Sequence, residues 1–284
     1  MKLMTKLGAT AAAMGAVAIA ARGNRILSTK AYTVVCDELP DAFDGLRLVH
    51  LSDLHAACFG KEQGRLLATI DSLEADLVLI TGDLIDRRRT VNENGMRSAL
   101  TLLRELAKRV PTVRVDGNHE TMAAVGARFR SLAARTGVHN ITGRGLPVRK
   151  GDDRLVLLGI PDIASVQYDK EKWRDTMATV CAPYTHDFCI ALSHRPQFFE
   201  DYEVQGLPLV LSGHAHGGQV RLPFVGGLYA PEQGILPKYT AGVHGEHDTQ
   251  MVVSRGLGNS GFPIRFGNRP EIVVVTLKKG EKKV

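Results

Sequence analysis

Five short polar clusters recur along the chain: Asp53 with His55, Gly82 with Asp83, Asn118 with His119, His194 alone, and His214 with His216. Singly, each has an ordinary structural use. Asp53 could cap a helix or turn, and Gly82-Asp83 and Gly117-Asn118 are common turn pairs. His194 could be a hydrogen-bonded core or surface histidine. His214 and His216, two apart, could lie on one face of a strand end. Jointly those readings fail, because every cluster follows a stretch that reads as a strand. Carboxylate, amide and imidazole groups together suit a pair of metal ions. Two divalent cations about 3.5–4 Å apart need a shared anionic ligand to offset their repulsion, and a short carboxylate supplies it. Mixed imidazole and oxygen donors suit Mn, Fe or Zn better than Mg or Ca. Such a pair can hold a phosphoryl group and activate a water as hydroxide. A histidine outside the ligand set is still needed as general acid at the leaving group.

The elements that must position these residues alternate in type. Leu77 to Ile80 is a short Leu-, Val- and Ile-rich run ending at Thr81-Gly82-Asp83, which predicts a strand buried on both faces. Residues 45–53 read as a strand closing on Ser52 and Asp53. Leu66, Leu67, Ile70 and Leu73 recur at helical spacing, and Met96, Leu100, Leu103 and Leu106 mark a second helix stopped by Pro111. Residues 112–115 form a third strand that runs into Asp116-Gly117-Asn118-His119. This βαβαβ pattern implies parallel pairing and right-handed crossovers. Open α/β sheets place their ligands at the carboxyl ends of such strands. Further strands are expected at 155–160, 187–193, 207–212, 251–254 and 271–277. Residues 220–248 are Gly- and Pro-rich and read as a long surface loop, with Phe224, Tyr229 and Tyr239 as sources of specificity.

With 44% apolar and 23% charged residues in 284, the chain can build a sizeable globular core. The net charge of +6 is concentrated at the ends. Residues 1–30 hold five basic residues and no acid, and residues 278–284 hold four lysines and one glutamate, which leaves −2 for residues 31–277. A body charge of that sign argues against a long nucleic-acid substrate. Basic ends suit an anionic membrane surface, or simply aid solubility. Residues 7–21 are free of charge, flanked by Lys2 and Lys6 before and Arg22 and Arg25 after. Fifteen residues match a signal-peptide core better than a full span of roughly 20. The expected layout is therefore an anchor or signal segment (1–30), one α/β domain (31–278) and a basic tail (279–284). The expected location is membrane-associated or exported, in a bacterial cell envelope. Cys36, Cys58, Cys181 and Cys189 have no zinc-finger spacing and read as free thiols.

The order Asp53-Leu54-His55, Gly82-Asp83, Gly117-Asn118-His119-Glu120, His194 and Gly213-His214-Ala215-His216 resembles the calcineurin-like metallophosphoesterase superfamily over roughly residues 45–277. The late stretches 255–258, 263–265 and 269–277 resemble its bacterial branch with an N-terminal membrane segment. The resemblance implies a four-layer α/β/β/α sandwich of mixed sheets and two divalent metal ions. It implies Asp53, His55 and His216 on one ion, Asn118, His194 and His214 on the other, and Asp83 bridging. His119 would be the unligated histidine that protonates the leaving group or contacts the phosphate, and Asn118 and His119 would bind substrate. Glu120 is expected to cap or orient a helix start. Arg195 and Arg265 are either phosphate contacts or structural. The implied activity is metal-dependent hydrolysis of a phosphodiester, pyrophosphate or phosphomonoester. One form would be a UDP-2,3-diacylglucosamine-type pyrophosphatase acting on a membrane-associated substrate. The reading from a different class is a non-catalytic metal-bound scaffold.

Overall fold

The computed structural model describes residue 24 and residues 26–245, 248–261 and 265–280. The βαβαβ half forms as its pattern requires. Strands β1 (Ser28–Cys36), β2 (Arg47–Leu51), β3 (Leu77–Ile80), β4 (Thr112–Arg114) and β5 (His139–Asn140) belong to one six-stranded sheet. Its sixth member is the last strand of the chain, Glu271–Lys279, inserted between β1 and β2. It runs parallel to β1 and antiparallel to β2, while β2, β3, β4 and β5 are mutually parallel.

The second sheet holds β6 (Gly145–Lys150), β7 (Asp153–Gly159), β8 (Phe188–Leu192) and β9 (Leu209–Ser212). Two later strands, Gly242–His244 and Gln250–Val253, complete it. Strands β7, β8, β9 and Gln250–Val253 are parallel, with antiparallel strands at both edges.

Side-chain alternation divides the core into layers. In β3, Leu77 and Leu79 point between the sheets, while Val78 and Ile80 meet the outer helices. Phe188, Ile190 and Leu192 of β8 fill the same inter-sheet layer, and Cys189 and Ala191 face outward. Helices Gly64–Asp71, Glu93–Ala107 and Gly126–Ala133 cover the first sheet. Helices Lys170–Cys181 and Phe199–Val204 cover the second. The result is the expected four-layer α/β/β/α sandwich of mixed sheets. A strand buried on both faces needs an apolar residue at every position, which is why β3 reads as a continuous run.

Two expectations change. Residues 220–248 are not a featureless loop. They fold into the hairpins β10 (Arg221–Leu222) with β11 (Gly226–Gly227) and β12 (Tyr229–Ala230) with β13 (Gly234–Ile235), and then join the second sheet. Glycines 226 and 234, at φ 86° and 74°, supply the left-handed backbone such tight returns demand. The membrane-associated or exported location is also corrected, since among the described residues no helix is long and apolar enough to cross a membrane. Residues 7–21, on which that expectation rested, lie outside the described residues.

Candidate metal centre

The parallel strands of both sheets end along one edge, and every predicted site residue lies there. Asp53 and His55 follow β2, Asp83 follows β3, Asn118 and His119 follow β4, His194 follows β8, and His214 and His216 follow β9. All eight are buried. Hydrogen bonds of backbone and side chains stitch the two sheets together at this edge. Leu257 N donates to Ser52 O at 3.0 Å, and the Nδ1 of His194 donates to Thr81 O at 2.7 Å. The His214 amide donates to both Asp53 oxygens, at 3.2 and 3.0 Å.

Asp83 is central. Its Oδ2 lies 3.6 Å from His55 Nε2 and 3.1 Å from His194 Nε2, while its Oδ1 accepts the His119 amide at 2.8 Å. On one side, His55 Nε2 is 3.2 Å from His216 Nε2, and Asp53 Oδ1 lies 3.7 and 3.5 Å from these two rings. On the other side, His194 Nε2 is 3.2 Å from His214 Nδ1. Thus Asp53, His55 and His216 form one donor cluster, and Asp83, His194 and His214 another, each with its ligand atoms within 4.8 Å of one another.

The residues present fit a pair of cations on three counts. First, Asn118 Oδ1 is buried with no hydrogen-bond partner among the described residues, a cost that folded proteins seldom carry without a ligand. Second, Asp53, His55, Asp83, His214 and His216 all adopt φ between 46° and 63°. That backbone costs roughly 1–3 kcal/mol per non-glycine residue and gathers at functional sites. Third, the rings crowd: His55 and His119 centroids are 4.6 Å apart, His55 and His216 4.9 Å, and His194 and His214 4.9 Å. Burial drives His216 down to about 3 and His214 well below the usual histidine range, which keeps both as neutral donors. Burial acts the same way on His194, but the Asp83 charge outweighs it and pushes that ring up to about 10.

His119 is oriented differently. Its Nδ1 accepts the Arg87 amide at 3.0 Å, so the neutral ring carries its proton on Nε2, 3.4 Å from Ser260 Oγ. Burial lowers its pKa to about 4. A buried neutral imidazole with a fixed Nε2 proton is a hydrogen-bond donor.

Close approach selects two glycines here. A Cβ at Gly117 would stand 2.3 Å from Asp83 Oδ1, and one at Gly213 would stand 1.9 Å from Ser52 Oγ and 2.5 Å from Asp53 Oδ2. Neither position can hold a side chain while the carboxylates stay in place.

Glu120 does more than its expected cap. Its Oε2 accepts the Asp83 and Gly117 amides, each at 2.8 Å, and its Oε1 accepts Leu84 and Ile85 at 2.6 and 3.1 Å. It therefore ties the loop bearing Asp83 to the helix bearing Asn118 and His119. Burial, with the nearby Asp83 and Asp116 charges, raises its carboxyl to about 7, against the amide bonds that favour the anion. Its place three residues after Gly117 is the one sequence sign of the role.

Arg195 and Arg265 are both buried and both already engaged. Arg195 bonds Asp162 through Nε at 2.7 Å and Nη2 at 3.1 Å. Arg265 bonds the Asn259 side chain at 2.6 Å, the Arg255 carbonyl at 2.6 Å and the Gly258 carbonyl. Among the aromatics of 220–248, Phe224 is fully exposed, Tyr229 lines a cavity beside His216, and Tyr239 is buried against Phe199. Tyr239 thus faces the core instead of the site.

A family model described as calcineurin-like phosphoesterase matches residues 46–218. The uncharacterized metallophosphoesterase YkuE of Bacillus subtilis (strain 168) is 31% identical over 268 residues, 89% of this chain and 86% of that protein. Phosphodiesterase YaeI of Escherichia coli (strain K12) is 26% identical over 237 residues, 81% of this chain and 82% of that one. The crystal structure of a dimetal phosphatase from Danio rerio superposes with a TM-score of 0.47 at 12% identity, covering 82% of this chain and 99% of that one.

Proposed function

Because the chain belongs to the calcineurin-like phosphoesterase family, and so is a phosphoester hydrolase, we propose that it holds two divalent metal ions and cleaves phosphodiester, pyrophosphate or phosphomonoester bonds. In this reading Asp53, His55 and His216 hold one ion, Asn118, His194 and His214 hold the other, and Asp83 is shared. The observation that carries it is the position of Asp83 Oδ2, 3.6 Å from His55 Nε2 and 3.1 Å from His194 Nε2. The donor set favours Mn, Fe or Zn. When bound, such ions polarise phosphoryl oxygens and make water more acidic.

The remaining work falls to the chain itself. His119, whose proton sits on Nε2 because Nδ1 accepts the Arg87 amide, gives a hydrogen bond to the departing oxygen as charge develops there. The amide of Asn118 and the ring of His119 together contact the phosphoryl group. Burial of the whole set keeps bulk water from competing with these bonds. The phosphodiesterase name of the Escherichia coli relative supports a diester among the cleaved bonds.

The test is Asp83→Ala. Metal content by plasma mass spectrometry and Mn-dependent hydrolysis of bis(p-nitrophenyl) phosphate should both collapse. Wild-type turnover by that variant, with metal still bound, would sink the assignment.

A further inference from the structure

A cavity of about 600 Å³ opens beside His216, with Val220, Tyr229, Pro231, Arg88 and Ser260 among its walls. The β12–β13 hairpin that supplies Tyr229 and Pro231 carries Glu232 at its turn, where the backbone adopts φ 61°. The Glu232 carboxylate, partly exposed to solvent, is anchored beside Pro231 by two donors. Arg195 Nη1 donates to its Oε2, and so does Gln197 Nε2 at 2.9 Å. Its Oε1 lies 4.0 Å from His214 Nε2, and Arg195 Nη1 lies 3.3 Å from that same ring atom. Asp162 holds the opposite edge of Arg195.

The Arg195 guanidinium, one of two that reach a site histidine (Arg265 Nη2 lies 3.3 Å from His216 Nδ1), is therefore flanked by two carboxylates, and the trio Asp162, Arg195 and Glu232 has a formal charge of −1. A phosphomonoester is close to a dianion above its second pKa of about 6. A diester, or a pyrophosphate substituted at both ends, has a single charge on the phosphoryl group to be attacked. We propose that Glu232 selects substrates by this charge, favouring a singly charged phosphoryl group, with the adjoining cavity receiving one of its two organic substituents. The inference rests on the phosphoesterase reading above. A carboxylate fixed this close to the centre, at an effective dielectric near 20, disfavours each added substrate charge by about tenfold.

The experiment compares wild type, Glu232→Gln and Glu232→Asp, all Mn-loaded, at pH 8. The substrates are bis(p-nitrophenyl) phosphate and p-nitrophenyl phosphate, and inorganic phosphate binding is read by calorimetry. In Glu232→Gln the diester-to-monoester ratio of kcat/KM should fall about tenfold, through a gain on the monoester, and phosphate should bind more tightly by a similar factor. Glu232→Asp keeps the charge and should keep the wild-type ratio. An unchanged ratio in Glu232→Gln, or an equal fall in Glu232→Asp, overturns the proposal. If wild type cleaves neither ester, the phosphoesterase reading is what fails. The phosphate titration still decides then: tighter binding to Glu232→Gln upholds charge selection, and equal binding overturns it.

Discussion

The Nε2 of His194 lies 3.1 Å from the Oδ2 of Asp83, while the Nδ1 of the same ring donates to the Thr81 carbonyl at 2.7 Å. The ring is thus held from both ends, and both groups are buried. Removing one partner of a buried, hydrogen-bonded charge pair costs about 3–5 kcal/mol, because the other is left uncompensated. His194→Ala should therefore lower the urea midpoint of the metal-free protein by a matching amount. It should also roughly halve the bound metal, if the two-ion arrangement holds. An unchanged midpoint and full metal content would count against the pairing.

Glu120→Gln tests the tie between the Asp83 loop and the following helix. Each Glu120 oxygen accepts two backbone amides, so an amide nitrogen at either position faces donors instead of an acceptor. Unmaking buried bonds to a charged group costs about 1.5–3 kcal/mol. Metal affinity should fall with stability, because Asp83 loses the bond that fixes its backbone. Second-shell changes of this kind typically weaken metal binding about 10–100-fold. Competition with a chromophoric chelator reads the affinity, and equal affinity in variant and wild type would show that Glu120 only caps its helix.

The βαβαβ half was legible because β3 is apolar at every position, as a strand covered on both faces must be, and the full sandwich came from the family resemblance. The site was legible because each ligand-type residue directly follows such a strand, so linear order reports spatial convergence. The edge strand β1 escaped notice. Of its residues 28–33 only Ser28 and Tyr32 are half-buried and the rest are exposed, and only Val34 and Cys36 are buried. Glu232 was invisible for another reason. Nothing in a Gly- and Pro-rich stretch announces that a hairpin turn will deliver its carboxylate to Arg195, far away in sequence. Tyr239 misled for the same reason, since its burial depends on packing against Phe199, a contact no local pattern reports.

The thiols offer a check on the core that is independent of the chemistry. Cys36, Cys181 and Cys189 are buried and Cys58 is exposed, all of them free. Burial pushes the three buried thiols up to about 12, 11 and 12 respectively. At pH 8 those three carry almost no thiolate, and the thiolate is the reactive form. The native protein should therefore titrate one thiol rapidly with Ellman's reagent, and four after unfolding in urea. Two or more fast thiols in the native state would show that the layers open more readily than their packing indicates.

His119 separates proton donation from metal holding. Its Nδ1 accepts the Arg87 amide at 3.0 Å, which leaves Nε2 as the atom that carries and presents the proton. His119→Asn cannot supply an imidazole proton, yet the other donors around Asp83 and Asp53 remain. Positioned general acids contribute about 10²–10⁴-fold, and their worth rises as the leaving group becomes more basic. Bound metal should stay at the wild-type level while kcat falls. The fall should be small for a p-nitrophenyl ester, whose leaving group departs without help, and large for an alkyl ester. A plot of log kcat against leaving-group pKa should be nearly flat for wild type and steeply negative for the variant. Parallel lines would mean that His119 binds the phosphoryl group without protonating what leaves. Loss of metal in His119→Asn would instead make it a ligand, which the cluster of His55, Asp83 and His119, with ligand atoms within 4.8 Å of one another, is compact enough to allow.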